Sequence, residues 1–272
     1  MIDMPTSSLS DTLRQVRKAR RLSQLELSLR LEVSQRHVSF VESGRAKPSR
    51  DLLLAWLQEL DTPLVVRNEA MLQAGYAPVY SSAGLGDPVL EQMNGALQHM
   101  LAAHDPMPAV VIDAHWNVLR LNRGGEWLVA TLMPWVAELS DAAPTNLLDL
   151  FVHPEGFTKS LVNLREVGPV LLAHLRHEAI VQPAIAPKVE AFAALLRDRV
   201  GGQGLQGGGA RPTAPVLTTR YGTPYGELAF FSMFTTFGTP QDITLESLRV
   251  EHLFAADEAT RELFEAHVSS HQ

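Results

Sequence analysis

Two Ser-Gln pairs, Ser23-Gln24 and Ser34-Gln35, stand eleven residues apart near the start of the chain, and Arg36 follows the second. A serine ahead of an apolar-periodic run accepts hydrogen bonds from the first turn of a helix, so each serine marks a helix start. Glu26, three residues after Ser23, completes a capping box. The chemistry open to these side chains is recognition of a nucleic-acid duplex. Glutamine pairs with the edge of adenine and arginine with that of guanine, while a helix N-terminus attracts phosphate. In the helix that Ser34 opens, Val38 and Val41 share one face, which turns Gln35, Arg36, Ser39, Phe40 and Ser43 elsewhere. Phe40 on such a face suits a thymine methyl group. Gln24 suits a phosphate, and Arg45 and Lys47 follow where a strand would pass. The expected DNA-binding set is therefore Gln24, Ser34, Gln35, Arg36, Ser39, Phe40, Ser43, Arg45 and Lys47, with Arg14, Arg17 and Lys18 as further phosphate contacts.

These residues need a scaffold of short helices. Leu31-Glu32-Val33 leaves three residues between the two capped helices, a spacing that braces a recognition helix against a supporting one. An earlier helix carries Leu9, Leu13, Val16 and Arg17 on one face, with Ser8 or Ser10 as cap. A later one runs from Ser49 through Leu52, Leu53, Trp56, Leu57 and Leu60, and another spans about Pro63 to Ala74. Residues 1–75 thus read as a five-helix, all-α domain. The alternative, a helical bundle with a merely solvated polar face, explains neither the caps, the turn length and the paired glutamines nor the local charge. The whole chain carries a net charge of -7, yet residues 1–60 hold ten Lys or Arg against seven Asp or Glu, a balance of +3. The remaining 13 basic and 23 acidic residues give -10, so a cationic head precedes an acidic body.

Gly, Pro and Ser dominate residues 76–88, which read as a linker, and residues 89–272 as a second domain of α+β class. A helix is expected at 89–103, strands at 109–113 and 118–122 with a tight turn between them, and a helix at 125–132. Helices are expected at 145–152, 157–180 and 187–199, strands at 215–221, 226–237 and 245–254, and a closing helix at 257–267. Six glycines within nine positions make 201–215 a mobile loop.

Ser23-Gln24-x-x-Leu27 through Val33-Ser34-Gln35, then Val41-Glu42-Ser43-Gly44 and Pro48-Ser49, resembles the phage-repressor (Xre/Cro) helix-turn-helix family over about residues 9–74. The resemblance implies that Gln24 meets backbone while Gln35, Arg36 and Phe40 enter the major groove. Glu32 departs from it, standing where many members have glycine. In the second domain Ala109–Asp113 and Trp116–Asn122, then a helix, resemble the opening of PAS-like sensor domains. Joined to the head through Ala74-Gly75-Tyr76-Ala77-Pro78-Val79-Tyr80, the whole resembles the MmyB-like regulators. That implies a PAS-like ligand-binding domain whose ligand class is a fatty acid or another small apolar molecule.

A ligand pocket is expected around the strand 226–238, where Phe230, Phe231, Phe234 and Phe237 fall on both faces. The expected ligand-binding residues are Trp116, Arg120, Asn122, Trp127, Phe230 and Phe234, although any one of the aromatics serves as readily to fill a core. Arg120, Arg123, Arg176 and His177 are candidate anchors for a carboxylate. His174-Leu175-Arg176-His177-Glu178 matches no zinc-hydrolase order, and no nucleophile elbow or P-loop occurs. With no cysteine there are no disulfides or thiolate-bound metals. No metal, cofactor or catalytic residue is expected, and a soluble, cytoplasmic protein is. The reading is a transcriptional regulator that binds a double-stranded DNA operator, senses a small apolar ligand and acts as a homodimer away from membranes. Two alternatives are an enzyme carrying a DNA-binding head and an adaptor whose second domain binds a protein.

Overall fold

A computed structural model describes residues 8–138, 144–201 and 215–268. The chain divides into two compact units, one of Met1–Gly84 with Gly238–Glu246, the other of Leu85–Phe237 with Ser247–Gln272.

The first unit holds α1 (Leu9–Ala19), α2 (Gln24–Arg30), α3 (Gln35–Glu42), α4 (Arg50–Glu59) and α5 (Leu64–Gln73). Each of the first four is opened by a serine, Ser8, Ser23, Ser34 or Ser49, whose hydroxyl accepts from the amide three residues on. Ser23 and Glu26 form the complete capping box. α5 starts at Pro63 with no side-chain cap of its own. The Leu64 amide donates instead to Glu246 Oε2 at 2.8 Å. Leu13, Leu27, Val38, Leu53, Trp56, Leu57 and Met71 form the core, each contributing roughly 1.5–3 kcal/mol by burial. Leu25 and Leu29, on the other face of α2, stay exposed.

Residues expected as linker run along this unit. The Tyr76 hydroxyl donates to Pro48 O at 2.9 Å, and Asn68 brackets Val79 and Tyr80 through both ends of its amide. Ser81 bridges to Asp242, whose carboxylate accepts from the Ser81 hydroxyl at 2.5 Å and from Ala83 N at 3.1 Å.

The second unit is one antiparallel five-stranded sheet, ordered β2-β1-β5-β4-β3, with helices packed on it. The strands are β1 (Ala109–Ile112), β2 (Val118–Leu121), β3 (Thr219–Thr223), β4 (Gly226–Thr236) and β5 (Arg249–Ala255). The helices are α6 (Glu91–His104), α7 (Arg123–Leu132), α8 (Leu147–Val152), α9 (Phe157–Ser160), α10 (Leu164–Val181), α11 (Ala186–Val200) and α12 (Glu258–Val268). The long central pair aligns Phe230 with Ala255, Ser232 with Leu253 and Phe234 with Glu251. Residues directly opposite share a face, so Ser232, Phe234, Glu251 and Leu253 look the same way. Phe192, Leu196, Leu228, Phe230 and Phe264 lie in the core of this unit.

Three expectations change. The helix expected over 157–180 breaks at residues 161–163, because Leu161 bridges to Tyr221 and Val162 N donates to Arg220 O at 2.7 Å. The strand expected over 245–254 starts at Arg249, since Asp242 caps a short helix, Ile243–Ser247, through Thr244 N and Leu245 N. The strand expected from 215 starts at Thr219. The glycine-rich loop, at 202–214, lies outside the described residues. Among the described residues no helix is long and apolar enough to cross a membrane.

Candidate functional site

In the helical unit the recognition surface is fixed from behind by a buried ion pair. Arg17 on α1 donates to Glu42 at the end of α3, Nε to Oε1 at 2.6 Å and Nη2 to Oε2 at 2.9 Å. Gln24 Nε2 adds a bond to Glu42 Oε2 at 2.8 Å, and Arg14 donates to the Glu42 carbonyl at 2.5 Å. Burial pushes the Glu42 carboxyl upward, but the hydrogen bonds from Arg17 and Gln24 and the charges of Arg17 and Arg14 outweigh it. The group is held below the ordinary carboxylate range. One carboxylate therefore ties α1, α2 and α3 together. Arg17 is consumed in this pairing, so it does not reach outward to a phosphate as its charge alone led one to expect.

Forward of that pair, Ser34, Gln35, Arg36, Ser43, Arg45 and Lys47 are exposed, and Ser39 and Phe40 half-buried. The aromatic on this face has a physical explanation: the guanidinium carbons of Arg36 and Arg45 lie 5.0 and 6.0 Å from the Phe40 ring centre. Cation–π contacts of this kind hold ring and cations as one ridge. Lys47 Nζ sits 4.6 Å from the Tyr76 ring centre. Glu32, in the turn before Ser34, adopts φ +54°, the left-handed conformation that glycine takes without cost.

In the second unit the sheet face of Ser232 and Phe234 looks into an apolar cavity of about 310 Å³, closed by Phe151, Phe157, Leu164, Leu171 and Phe192. A second chamber of about 170 Å³ lies against Val110, Leu121, Leu128 and Leu147. Phe151, Phe157, Tyr221, Glu251 and Leu253 line both. Trp116 forms part of the wall of the larger chamber, in a strained backbone conformation (φ +66°) that a bulky residue seldom adopts. Asp113 holds that turn by accepting from His115 N at 2.8 Å and from Asn117 N at 2.9 Å.

The indole of Trp116 donates to Glu178 at 2.9 Å, and Glu178 is gripped by Arg249 at 2.5 and 2.9 Å. The Arg249 guanidinium lies 4.7 Å from the Trp116 ring centre and 5.7 Å from that of Phe234. Burial raises the Glu178 carboxyl, but the Arg249 hydrogen bond and charge, with help from Trp116 and His174, bring it below its ordinary range. Glu251 goes the other way. Burial, with the charge of Glu178 added, outweighs the Ser232 hydrogen bond and the charge of Arg249 and keeps Glu251 above the ordinary range. The Tyr221 phenol beside it is pushed up to about 12, chiefly by burial and then by the charge of Glu251.

Residues 13–66 match the helix-turn-helix family, and residues 93–266 match the family described as the MmyB-like transcription regulator ligand binding domain. The chain belongs to the MmyB-like transcription regulators. This MmyB-like regulator thus joins a DNA-binding head to a ligand-binding domain. No curated protein matches it. It is similar to a solved structure described as an RNA-binding light-oxygen-voltage receptor, at 14% identity and a TM-score of 0.26. The match covers 96% of this chain and 62% of that one, and at such a score it assigns neither fold nor function.

Of the ligand-binding residues expected in the MmyB-like domain, Trp116 and Phe234 line the cavity. Phe230 is wholly buried in the core, and Trp127 packs on Phe264 at 4.7 Å and on Tyr225 at 5.7 Å. Asn122 is a buried structural residue: it caps α7 through Gly125 N and binds Ala109 N and Met107 O. Arg120 donates to Asn94, Arg123 to Val268 O and Arg176 to Glu190. None of these three arginines lines either chamber. Sequence reasoning missed Glu178, Tyr221, Arg249 and Glu251. The signal was present in β5, where Arg249, Glu251 and Leu253 recur at period two and so place two charged groups on one face. Among the described residues no cluster of three His, Asp or Glu side chains is placed to hold a metal ion.

Proposed function

We propose that this MmyB-like regulator binds a double-stranded DNA operator as a homodimer, reading bases with Gln35, Arg36 and Phe40. Ligand entry into the cavity shifts the placement of the two heads and so changes operator affinity. The observation that carries the reading is the pairing of an exposed, braced α3 ridge in one unit with an apolar cavity in the other. Ser39 and Ser43 border the ridge, and Arg45, Lys47 and the backbone amides at the start of α2, where the Gln24 side chain is held by Glu42, take phosphates. A single helix-turn-helix covers only a half-site, so two copies are needed for specificity at genomic scale. The exposed Val65 and Leu72, seven residues apart on α5, offer an apolar strip for that pairing. A regulator of this kind works in the cytoplasm.

The ligand is a small apolar molecule, for which these chambers have the size and the walls. A fatty acid, the class implied by the sequence resemblance, matches the walls but finds no Lys or Arg among the described lining residues for its carboxylate.

Selection of sites from random DNA with the purified chain, with and without ligand extracted from expressing cells, tests the proposal. An enriched palindromic site whose affinity changes with the extract is expected. Enrichment of no sequence removes the regulator reading.

A further inference from the structure

Among the described residues that line the two chambers, Glu251 is the one carboxylic acid and no Lys or Arg occurs. Glu251 lines both chambers, and its only hydroxyl neighbour on β4 is Ser232. Tyr221 lines both chambers as well, packed against Phe157 of α9 with ring centres 6.3 Å apart. The nearest cation on the same strand face, Arg249, is already gripped at two oxygens by Glu178. His174, at the mouth of the larger chamber with its side chain 52% exposed, is bonded to the same Glu178 at 2.9 Å. Among the described residues Glu178 thus takes two nitrogens of the half-buried Arg249 guanidinium, and Glu251 is left with only the longer-range attraction of Arg249.

We infer that the cavity takes an apolar molecule with a basic amine head, seated on Glu251, and discriminates against a free carboxylate there. This rests on the ligand-sensing reading above and names the class of ligand it senses. An ammonium group supplies the counter-charge that burial makes valuable. A carboxylate placed at the same spot meets a second acid in an apolar enclosure, and one of the two must stay protonated. The upward shift of Glu251 agrees with this: burial raises it more than Ser232 and the charge of Arg249 lower it.

The test is calorimetric titration of the full-length protein at neutral pH with decylamine, decanol and decanoate, each below its micelle concentration. Decylamine is expected to bind at least tenfold more tightly than decanoate, with decanol between them. E251Q, checked by circular dichroism for an intact fold, is expected to weaken decylamine at least tenfold and to leave decanol within threefold. Decanoate or decanol matching decylamine on the wild-type protein overturns the inference and leaves the apolar-ligand reading standing. An unchanged decylamine affinity in folded E251Q does the same. Binding of none of the three removes both. Should E251Q not fold, the ranking on the wild-type protein decides alone.

Discussion

The Arg17 guanidinium holds both carboxylate oxygens of Glu42 from inside the helical unit, and both side chains are almost wholly buried, at 10% and 2% exposure. This joint fixes α3 against α1 and α2, because Glu42 is the last residue of α3 and also receives Gln24 from α2. A buried pair of this kind adds little relative to apolar residues of the same shape, but removing one partner strands the other charge.

Glu42→Gln should therefore destabilise the helical unit by about 3 kcal/mol, read as a lower urea midpoint. The pH dependence follows from the sign of the shift. The folded-state pKa of Glu42 lies below its unfolded value, so its stabilisation is complete above the unfolded value of about 4.3. It is lost as pH falls through the lower, folded value. Urea midpoints of wild type and E42Q should converge on acidification, and a constant gap down to the acid limit would contradict the role given to this carboxylate.

The two kinds of DNA contact are separable by salt. Gln35→Ala and Arg36→Ala should each cost about 1–3 kcal/mol on the preferred site and little on random DNA. Arg45→Ala and Lys47→Ala should weaken all sequences alike and each lower the slope of log affinity against log salt by about one. Fluorescence anisotropy at several salt concentrations measures both. Arg36 needs a control, because its loss also uncovers one side of Phe40; Arg36→Lys keeps the charge without the planar fork.

What the sequence made legible was local. Ser8, Ser23, Ser34 and Ser49 announce their helices because a cap is a contact between residues three apart. Phe234 is readable as a cavity residue from its type and its strand, and Trp116 from its type alone, since it lies in the turn before β2. The hidden part was the pairing of distant charges. Arg17 reads as one more cation until Glu42 is seen 25 residues away, and Glu178 as a polar surface residue until Arg249 meets it across 71. Phe230 and Phe234 have the same type on the same strand, yet one is core and the other wall, because only the helices laid over the sheet decide which end stays open. Asn122, expected at the ligand, is instead required by the turn into α7.

Glu251 gives the opposite pH behaviour to Glu42. Burial raises its pKa in the folded protein above the unfolded value, so the folded state binds the proton more tightly. Below the unfolded value, about 4.3, ionisation costs nothing; as pH rises through the folded value the full penalty sets in. Glu251→Gln removes that penalty. It should melt at a higher temperature than wild type at neutral pH and at the same temperature in acid, as followed by circular dichroism without ligand. Equal melting temperatures across the range would mean that Glu251 is stabilised as an anion after all.

The remaining prediction concerns Glu246, which serves the helical unit from a distant part of the chain. Its carboxylate accepts from Leu64 N at the start of α5, where Pro63 provides no side-chain cap. A carboxylate there also sits favourably at the positive end of the helix. Glu246→Ala should cost the helical unit about 1 kcal/mol, a typical capping loss, and Glu246→Gln less. The same residue lies three positions before Arg249, the first residue of β5, which goes on to supply Glu251 and Leu253 to the cavity wall. On the proposed reading, a shift of β5 on ligand entry would arrive, along the chain, at the cap of α5 within a few residues. E246A should therefore bind operator DNA with near wild-type affinity while losing most of the change that ligand produces, a coupling expected to be of the order of 1–3 kcal/mol. Gel shifts with and without ligand measure it. A full ligand response in E246A would mean that the signal reaches the head by another segment of the chain.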